Sequence, residues 1–326
     1  MRKNNSITFD NIFIKDTFTI ASKKESEGPI FSHFDEIIED NYNNEESFEM
    51  AEVELLKKCI NKLINKNKKI DLIISGDLNE SNMSSNYANI NNDIPFIGIY
   101  GACSTIIEAI IIGSCFIQSK NFDNIICATS SHNSNTEKLF RYPIEYGLPK
   151  NKNQTYTATG AAGCIISNET SSIKVCCATI GKVLDVDLKD PNDFGRIMVS
   201  SAIETYINHM ENLNLSDNYY DLVITGDLSK VGSELFIKGI NELGHNIKNY
   251  NDCGLIIYDR DIQDVNMGGS GCATIALVMF GYIIKLMKEN QYKKVLIIGT
   301  GALINKVLTL QNKGIPSISY AIGIEI

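Results

Sequence analysis

IDLIISGDL, residues 70–78, returns as YDLVITGDL at residues 220–228. Each copy is an apolar run closed by Gly-Asp, the pattern of a buried parallel strand entering a turn. The surroundings repeat as well. Downstream of each copy a small-residue turn holds a cysteine and opens an apolar helix: GACSTIIEAIIIGSCFI from Gly101 and GGSGCATIALVMFGYII from Gly268. Each helix leads into another strand, NIICATSS from Asn124 and KVLIIGTGA from Lys294. Upstream of each copy lies an amphipathic helix. One carries Phe48, Ala51, Leu55, Leu56, Cys59 and Leu63, the other Phe194, Ile197, Met198, Tyr206 and Met210, both at three- and four-residue spacing.

Helix, strand, helix, strand, helix, strand thus occurs twice in one order. Strands joined through helices imply right-handed crossovers and mainly parallel sheets. Helices apolar nearly all round demand burial on every side. The predicted fold is α/β, a layered αβαβα pseudo-dimer of two duplicated halves, residues 1–170 and 171–326, with the central helices between sheets. Two segments have no counterpart: the polar loop 130–154 inserted in the first half, and residues 252–269, expected to form a hairpin. Long loops at the ends of parallel strands are where function gathers.

Composition narrows the field. The chain has 326 residues, 44% apolar and 21% charged, with a formal net charge of −9. No basic run rises above the background, so nucleic acid is not an expected partner. The N-terminus lacks the apolar core of a secretory signal. The longest apolar stretch, Ala273 to Ile284, is shorter than the roughly 20 residues that a membrane span needs. The nine cysteines show neither a CxxC pair nor metal spacing, which suits a reducing compartment and expects no metal. GGSG and GTGA do not complete a dinucleotide fingerprint, and no cofactor is expected.

Cys103 is the strongest candidate nucleophile, because a cysteine at a helix N-terminus feels the positive end of the helix dipole. The competing reading is a buried structural thiol, which spacing alone favours. His132 follows a strand end, where functional side chains collect. His209 and His245 read as packing or solvated. Arg141 and Tyr142, between two prolines of the inserted loop, suit a planar carboxylate; Arg141 could equally pin the loop by pairing with Glu137 or Glu145. Asp77 and Asp227, in the two GDL copies, would face each other across the pseudo-twofold, as site residues or as caps of the following helices.

The duplicated halves with a cysteine at a buried helix start resemble the thiolase superfamily. GDLNESNMSSNYA, GACST, ATSSHN, FRYPIEYG, TYTATGAAG, YDLVITGDLSKVGS, NDCGLIIY and GGSGCA, spread over nearly the whole chain, are more specifically similar to the stage V sporulation protein AD family. That resemblance implies a thiolase-like fold and a role in sporulating bacteria. It further implies binding of dipicolinic acid (pyridine-2,6-dicarboxylate), with or without calcium, and help in its uptake into the developing spore. The implied partners are the other SpoVA membrane proteins, on the cytoplasmic side of the spore inner membrane. Pseudo-dimers of the superfamily commonly pair again, so a homodimer is one expectation.

One departure decides the reading. Condensing enzymes of the superfamily set two second-half groups, two histidines or a histidine and an asparagine, beside the cysteine. Here the corresponding places read TGDLS, with Asp227, and MGGSGC. The expected protein is therefore a non-catalytic binder in which Cys103 is a vestigial nucleophile position. The ligand-binding set is Cys103, Ser104, His132, Lys138, Arg141, Tyr142, Asp77, Asp227, Gly269 and Ser270. The alternative is a residual acyltransferase or thioesterase of the ketoacyl synthase type, using Cys103 with His132 as base.

Overall fold

The computed structural model of the chain describes residues 2–67, 69–140 and 151–326. After short strands at Arg2–Lys3 and Ser6–Thr8, the chain forms β1 (Phe13–Ala21), α1 (Phe48–Lys66), β2 (Leu72–Gly76), β3 (Phe96–Gly98), α2 (Thr105–Gln118) and β4 (Asn124–Ser131). There follow α3 (Asn133–Phe140), the two-residue β5 (Tyr156–Thr157), β6 (Gly160–Ser167) and β7 (Ile173–Ile180). Next come α4 (Phe194–Leu213), β8 (Leu222–Thr225), α5 (Ser229–Glu242), β9 (Tyr250–Asp252) and β10 (Gly269–Ser270). The chain closes with α6 (Cys272–Leu277), β11 (Lys294–Ala302) and β12 (Ser317–Glu325).

The strands fall into two sets of the same order, β3-β2-β4-β6-β1 and β9-β8-β11-β12-β7. In each set the first three run parallel. The fourth is reversed, and the fifth pairs antiparallel to it. Four strands of each set therefore share one direction. The sets meet edge to edge, where Ile14 pairs with Ile173 and Phe13 with Lys174. The sequence repeat accounts for the parallel strands and their helices. The reversed strands β6 and β12 lie outside the repeat unit and are an addition by the structure.

Strand composition follows from burial on both faces. Successive side chains of a strand point to opposite faces. In β4, Ile125 and Cys127 enter the central core while Ile126 and Ala128 enter the core beneath α1. In β11, Val295 and Ile297 face the centre, and Leu296 and Ile298 face α4. The central layer is α2 and α6. Helix α2 packs on β2 and β4 at one side and on β11 and β12 at the other, which is why Ile106, Ile107 and Ile110 are all buried. α1 and α4 cover the outer faces, completing the αβαβα layers.

Residues 252–269 do not form the expected hairpin. The Asp252 carboxylate accepts the Gly254 N–H (2.9 Å) and opens a helical turn at Cys253–Ile256. At the far end Gly269 pairs with Tyr156 across the molecule. The inserted loop is likewise not wholly irregular, since its first residues complete β4 and form α3. Among the described residues no helix is long and apolar enough to cross a membrane.

Ile110 is fully buried between the sheets. Ile110→Ala is expected to cost about 2–5 kcal/mol of unfolding free energy, read as a lowered midpoint in urea with little change of slope.

Candidate functional site

The turn before α2 is built by its own small residues. Ser104 Oγ donates to the Gly101 carbonyl (2.6 Å) and Thr105 Oγ1 to the Ala102 carbonyl (2.6 Å). Ala102 is left-handed at φ 50°. Strand β11 comes so close that a Cβ on Gly301 would lie 2.4 Å from the Gly101 oxygen, so only glycine fits there. The turn presents the Cys103 thiol to the other half of the chain, where it meets the Asp227 carboxylate and the Gly271 N–H.

Asp227 is firmly held. Its Oδ2 accepts from the Gly271 N–H (3.0 Å) and its Oδ1 from Thr300 Oγ1 (2.8 Å). Asp252, which sequence reasoning passed over, fixes the turn beneath it by accepting the N–H groups of Leu228 and Ser229 (both 2.9 Å). Burial pushes Asp227 up to about 6, against the hydrogen bonds from Cys103, Thr300 and Gly271. Burial, then the Asp227 charge, pushes the Cys103 thiol well above its ordinary range. A thiol so placed is protonated and a poor nucleophile.

Cys103 lines a small cavity together with Gly271, Ser270 and Thr157, and with the aromatic side chains of Tyr100, Phe140 and Phe194. Its lining carries no charged group among the described residues. An open hollow shares Leu78, Tyr100, Phe140 and Ile304 with it and adds Asn79, Glu80, Asn82, Asn305 and Lys306.

The remaining expected site residues are distributed otherwise. Ser270 lines the cavity, and its hydroxyl accepts from Thr155 Oγ1 (2.7 Å). Gly269 stands behind it, its carbonyl accepting from Ser229 Oγ (2.7 Å). Ser104 is spent on its own turn. Asp77 does not mirror Asp227: its oxygens accept the N–H groups of Asn79 (2.9 Å) and Ser85 (2.7 Å), so it holds the turn leading to the helix Met83–Ala88.

His132 and Lys138, expected beside Cys103, are instead drawn to α1 and the segment before it. Nε2 of His132 donates to the Asn41 carbonyl (2.8 Å), its Nδ1 accepts from the Ser134 N–H (3.2 Å), and its ring packs on Phe48. Burial pushes His132 down, toward the neutral form. Lys138 pairs with Glu49 at 2.7 Å. Neither lines the cavity, so the geometry supplies no base for Cys103 from His132. Arg141 and Tyr142 lie outside the described residues.

A family model for stage V sporulation protein AD (SpoVAD) matches residues 3–325. The chain belongs to that family. Stage V sporulation protein AD of Bacillus subtilis (strain 168) is 38% identical over 319 residues, covering 96% of this chain and 94% of that protein. Among solved structures, 3-oxoacyl-[acyl-carrier-protein] synthase III from Aquifex aeolicus VF5 aligns with a TM-score of 0.59 at 13% identity, covering 97% of this chain and 100% of that one. The cerulenin-bound OleA of Xanthomonas campestris aligns with a TM-score of 0.59 at 12% identity, covering 97% and 98%. Likeness at this identity speaks for the fold alone, which is the thiolase-like layered fold that the sequence predicts.

Two measurements follow from the buried acids. Asp227→Asn removes the charge facing Cys103, so alkylation of Cys103 at pH 8 should speed up about tenfold per unit of pKa released. Mapping the alkylated peptide checks it, and an unchanged rate at Cys103 contradicts the assignment. Burial also pushes Glu52 and Asp252 up to about 7. With Asp227, these groups bind protons in the native state that the unfolded chain has released above about pH 4. Stability should therefore fall as pH rises from 5 to 8, seen as a lower thermal midpoint at pH 8.

Proposed function

We propose that this protein is a non-catalytic binder of a small aromatic dicarboxylate, dipicolinate, and that it aids uptake of that compound into the developing spore with SpoVA membrane partners. The observation that carries the reading is the company of Cys103. A carboxylate and a backbone N–H stand where the condensing chemistry requires imidazole or amide groups, and the thiol is held protonated. What survives is a cavity walled by Tyr100, Phe140 and Phe194. Aromatic walls take the faces of a flat ring by offset or edge contacts.

The carboxylates of such a ligand need partners outside the apolar chamber. The hollow in front of it is lined by Lys306, Asn82 and Asn305, together with the Glu80 carboxylate. Arg141 and Tyr142 remain part of the proposed set on sequence grounds. Asp227 is one contact behind the cavity wall, and its negative charge opposes a dianion. Binding should therefore favour protonated Asp227. A calcium ion held between ligand and Asp227 would reverse that preference. With no spanning helix among the described residues, membrane association in this reading is peripheral, on the cytoplasmic side, and borrowed from partners.

Titration calorimetry with dipicolinate tests the proposal. In the absence of calcium, affinity should fall several-fold from pH 5.5 to pH 8. Phe140→Ala should weaken binding about tenfold, the scale of a lost aromatic contact with its buried area. Absence of binding at millimolar ligand, with and without calcium, would overturn it. The apolar lining also suits an acyl chain, which favours the acyltransferase reading as the second one. Incubation with acyl-CoA followed by intact mass separates the two, an acyl adduct on Cys103 being the result the binder reading forbids.

A further inference from the structure

A second group of reactive side chains lies in β7, away from the cavity. Along the β7–β12 pairing Val175 faces Ile324 and Cys177 faces Gly323, so Cys176 has no partner of its own. This is a β-bulge, in which two residues of one strand oppose one of the other. Neighbouring side chains of a regular strand point to opposite faces. The bulge instead brings the two thiols together, with their sulfurs 3.6 Å apart.

The surroundings are shaped to that pair. Gly323, which faces both, leaves room that a side chain would take only by displacing them. A Cβ there would fall 2.6 Å from Tyr220 Oη, 2.7 Å from Cys177 Sγ and 3.1 Å from Cys176 Sγ. Cys177 Sγ lies 3.5 Å from Tyr220 Oη and 3.8 Å from His209 Nε2. His209 is held at both nitrogens, by Thr179 Oγ1 (2.8 Å) and by Tyr220 Oη (2.7 Å). Cys177 and His209 are buried, while Cys176 is half-buried and so open to a small reagent.

We propose that Cys176 and Cys177 form a redox-active vicinal dithiol, oxidised to a disulfide by hydrogen peroxide and reopened by a low-molecular-weight thiol. Cys177 gives its proton to His209, and its sulfur attacks one peroxide oxygen. The O–O bond breaks, Cys177 becomes a sulfenic acid, and the departing hydroxide takes the proton from His209 to leave as water. The Cys176 sulfur then attacks the sulfenic sulfur, the S–S bond forms, and the second water leaves with the Cys176 proton. In sum two thiols lose two hydrogens and one peroxide becomes two waters. The contact with Cys176, whose proton can also go to the Gly323 carbonyl (3.1 Å), and then the hydrogen bond from His209 pull the Cys177 thiol down, which supports its role as the attacking sulfur. Adjacent cysteines have Cα atoms about 3.8 Å apart, closer than ordinary disulfide partners, so the bond should be readily reduced.

The test uses the full-length reduced protein and a few equivalents of hydrogen peroxide, followed by differential alkylation and peptide mapping. The expected result is loss of two hydrogens confined to the peptide holding Cys176 and Cys177, reversed by dithiothreitol. Phenylarsine oxide, which bridges two close thiols with loss of water, should modify the same peptide before oxidation and not after it. His209→Gln should slow disulfide formation about tenfold at pH 7 and move its pH profile toward that of an ordinary thiol, near 8.5. Oxidation that stops at a sulfinic acid on Cys176, or that pairs either cysteine with a different one, overturns the proposal. So does a wild-type protein whose two thiols both stay free while its other cysteines oxidise. An unchanged pH profile in His209→Gln removes His209 from it.

Discussion

The N-terminus of α6 is buried between two sheets, and the N–H groups there that the helix itself cannot satisfy must find partners within the protein. The Gly271 N–H goes to Asp227, and the Ala273 N–H goes to Ser131 Oγ (3.0 Å), a residue of the opposite strand set. Cys272 Sγ donates to the Ala102 carbonyl (3.0 Å), tying the start of α6 to the turn that carries Cys103. The cavity exists because these two helix starts meet back to back and close its inner end. Asp227 is thus first a structural acceptor, and its pressure on Cys103 is a consequence of that position. A histidine in its place would leave the Gly271 N–H and the Thr300 hydroxyl with a differently shaped partner.

The same constraint explains which parts of the fold are legible in the sequence. A layer buried on both faces forces continuous apolar strands and helices apolar all round, and those appear twice as a repeat that can be read directly. The site is only half legible by the same route. Cys103 and Asp227 sit at repeat positions and are drawn together by the pseudo-twofold. Tyr100, Phe140 and Phe194 come from a strand end, the last residue of α3 and the first of α4, and no local pattern marks them as neighbours. Tyr100, directly before GACST, is the one whose position hinted at the cavity. Asp77 shows where symmetry misleads, because GDL is followed by NESNMSS in one copy and SKVGS in the other. The first puts the backbone N–H of Ser85 within reach of the aspartate and the second does not. His209 reads as a packing residue by periodicity. Its hydrogen bonds to Thr179 and Tyr220 depend on a strand and a loop far from it in sequence.

Charge restricts what the cavity can hold. Buried acids outnumber cations around the core: Glu25, Glu52, Asp77, Asp227 and Asp252 are all buried. Their pKa values are raised because desolvation outweighs the hydrogen bonds they receive. Several lysines of the first half are meanwhile committed to helix surfaces. Lys138 pairs with Glu49, Lys57 with Glu54 and Lys58 with Glu36. The buried acids oppose an anionic group at depth, while the hollow outside holds both Lys306 and Glu80.

Packing gives the Cys103 position a structural reason to be cysteine. Its neighbours in the small core at the cavity are Leu78, Ala102 and Cys272. A protonated thiol is a small apolar group with a weak donor, and it can give that weak hydrogen bond to Asp227. Serine would present a more strongly hydrated hydroxyl to the same apolar walls. Alanine would leave Asp227 short of one donor and open a void between two helix starts that hold each other in place. Cysteine satisfies the carboxylate and fills the gap at once, so packing and polar satisfaction alone favour it at this position.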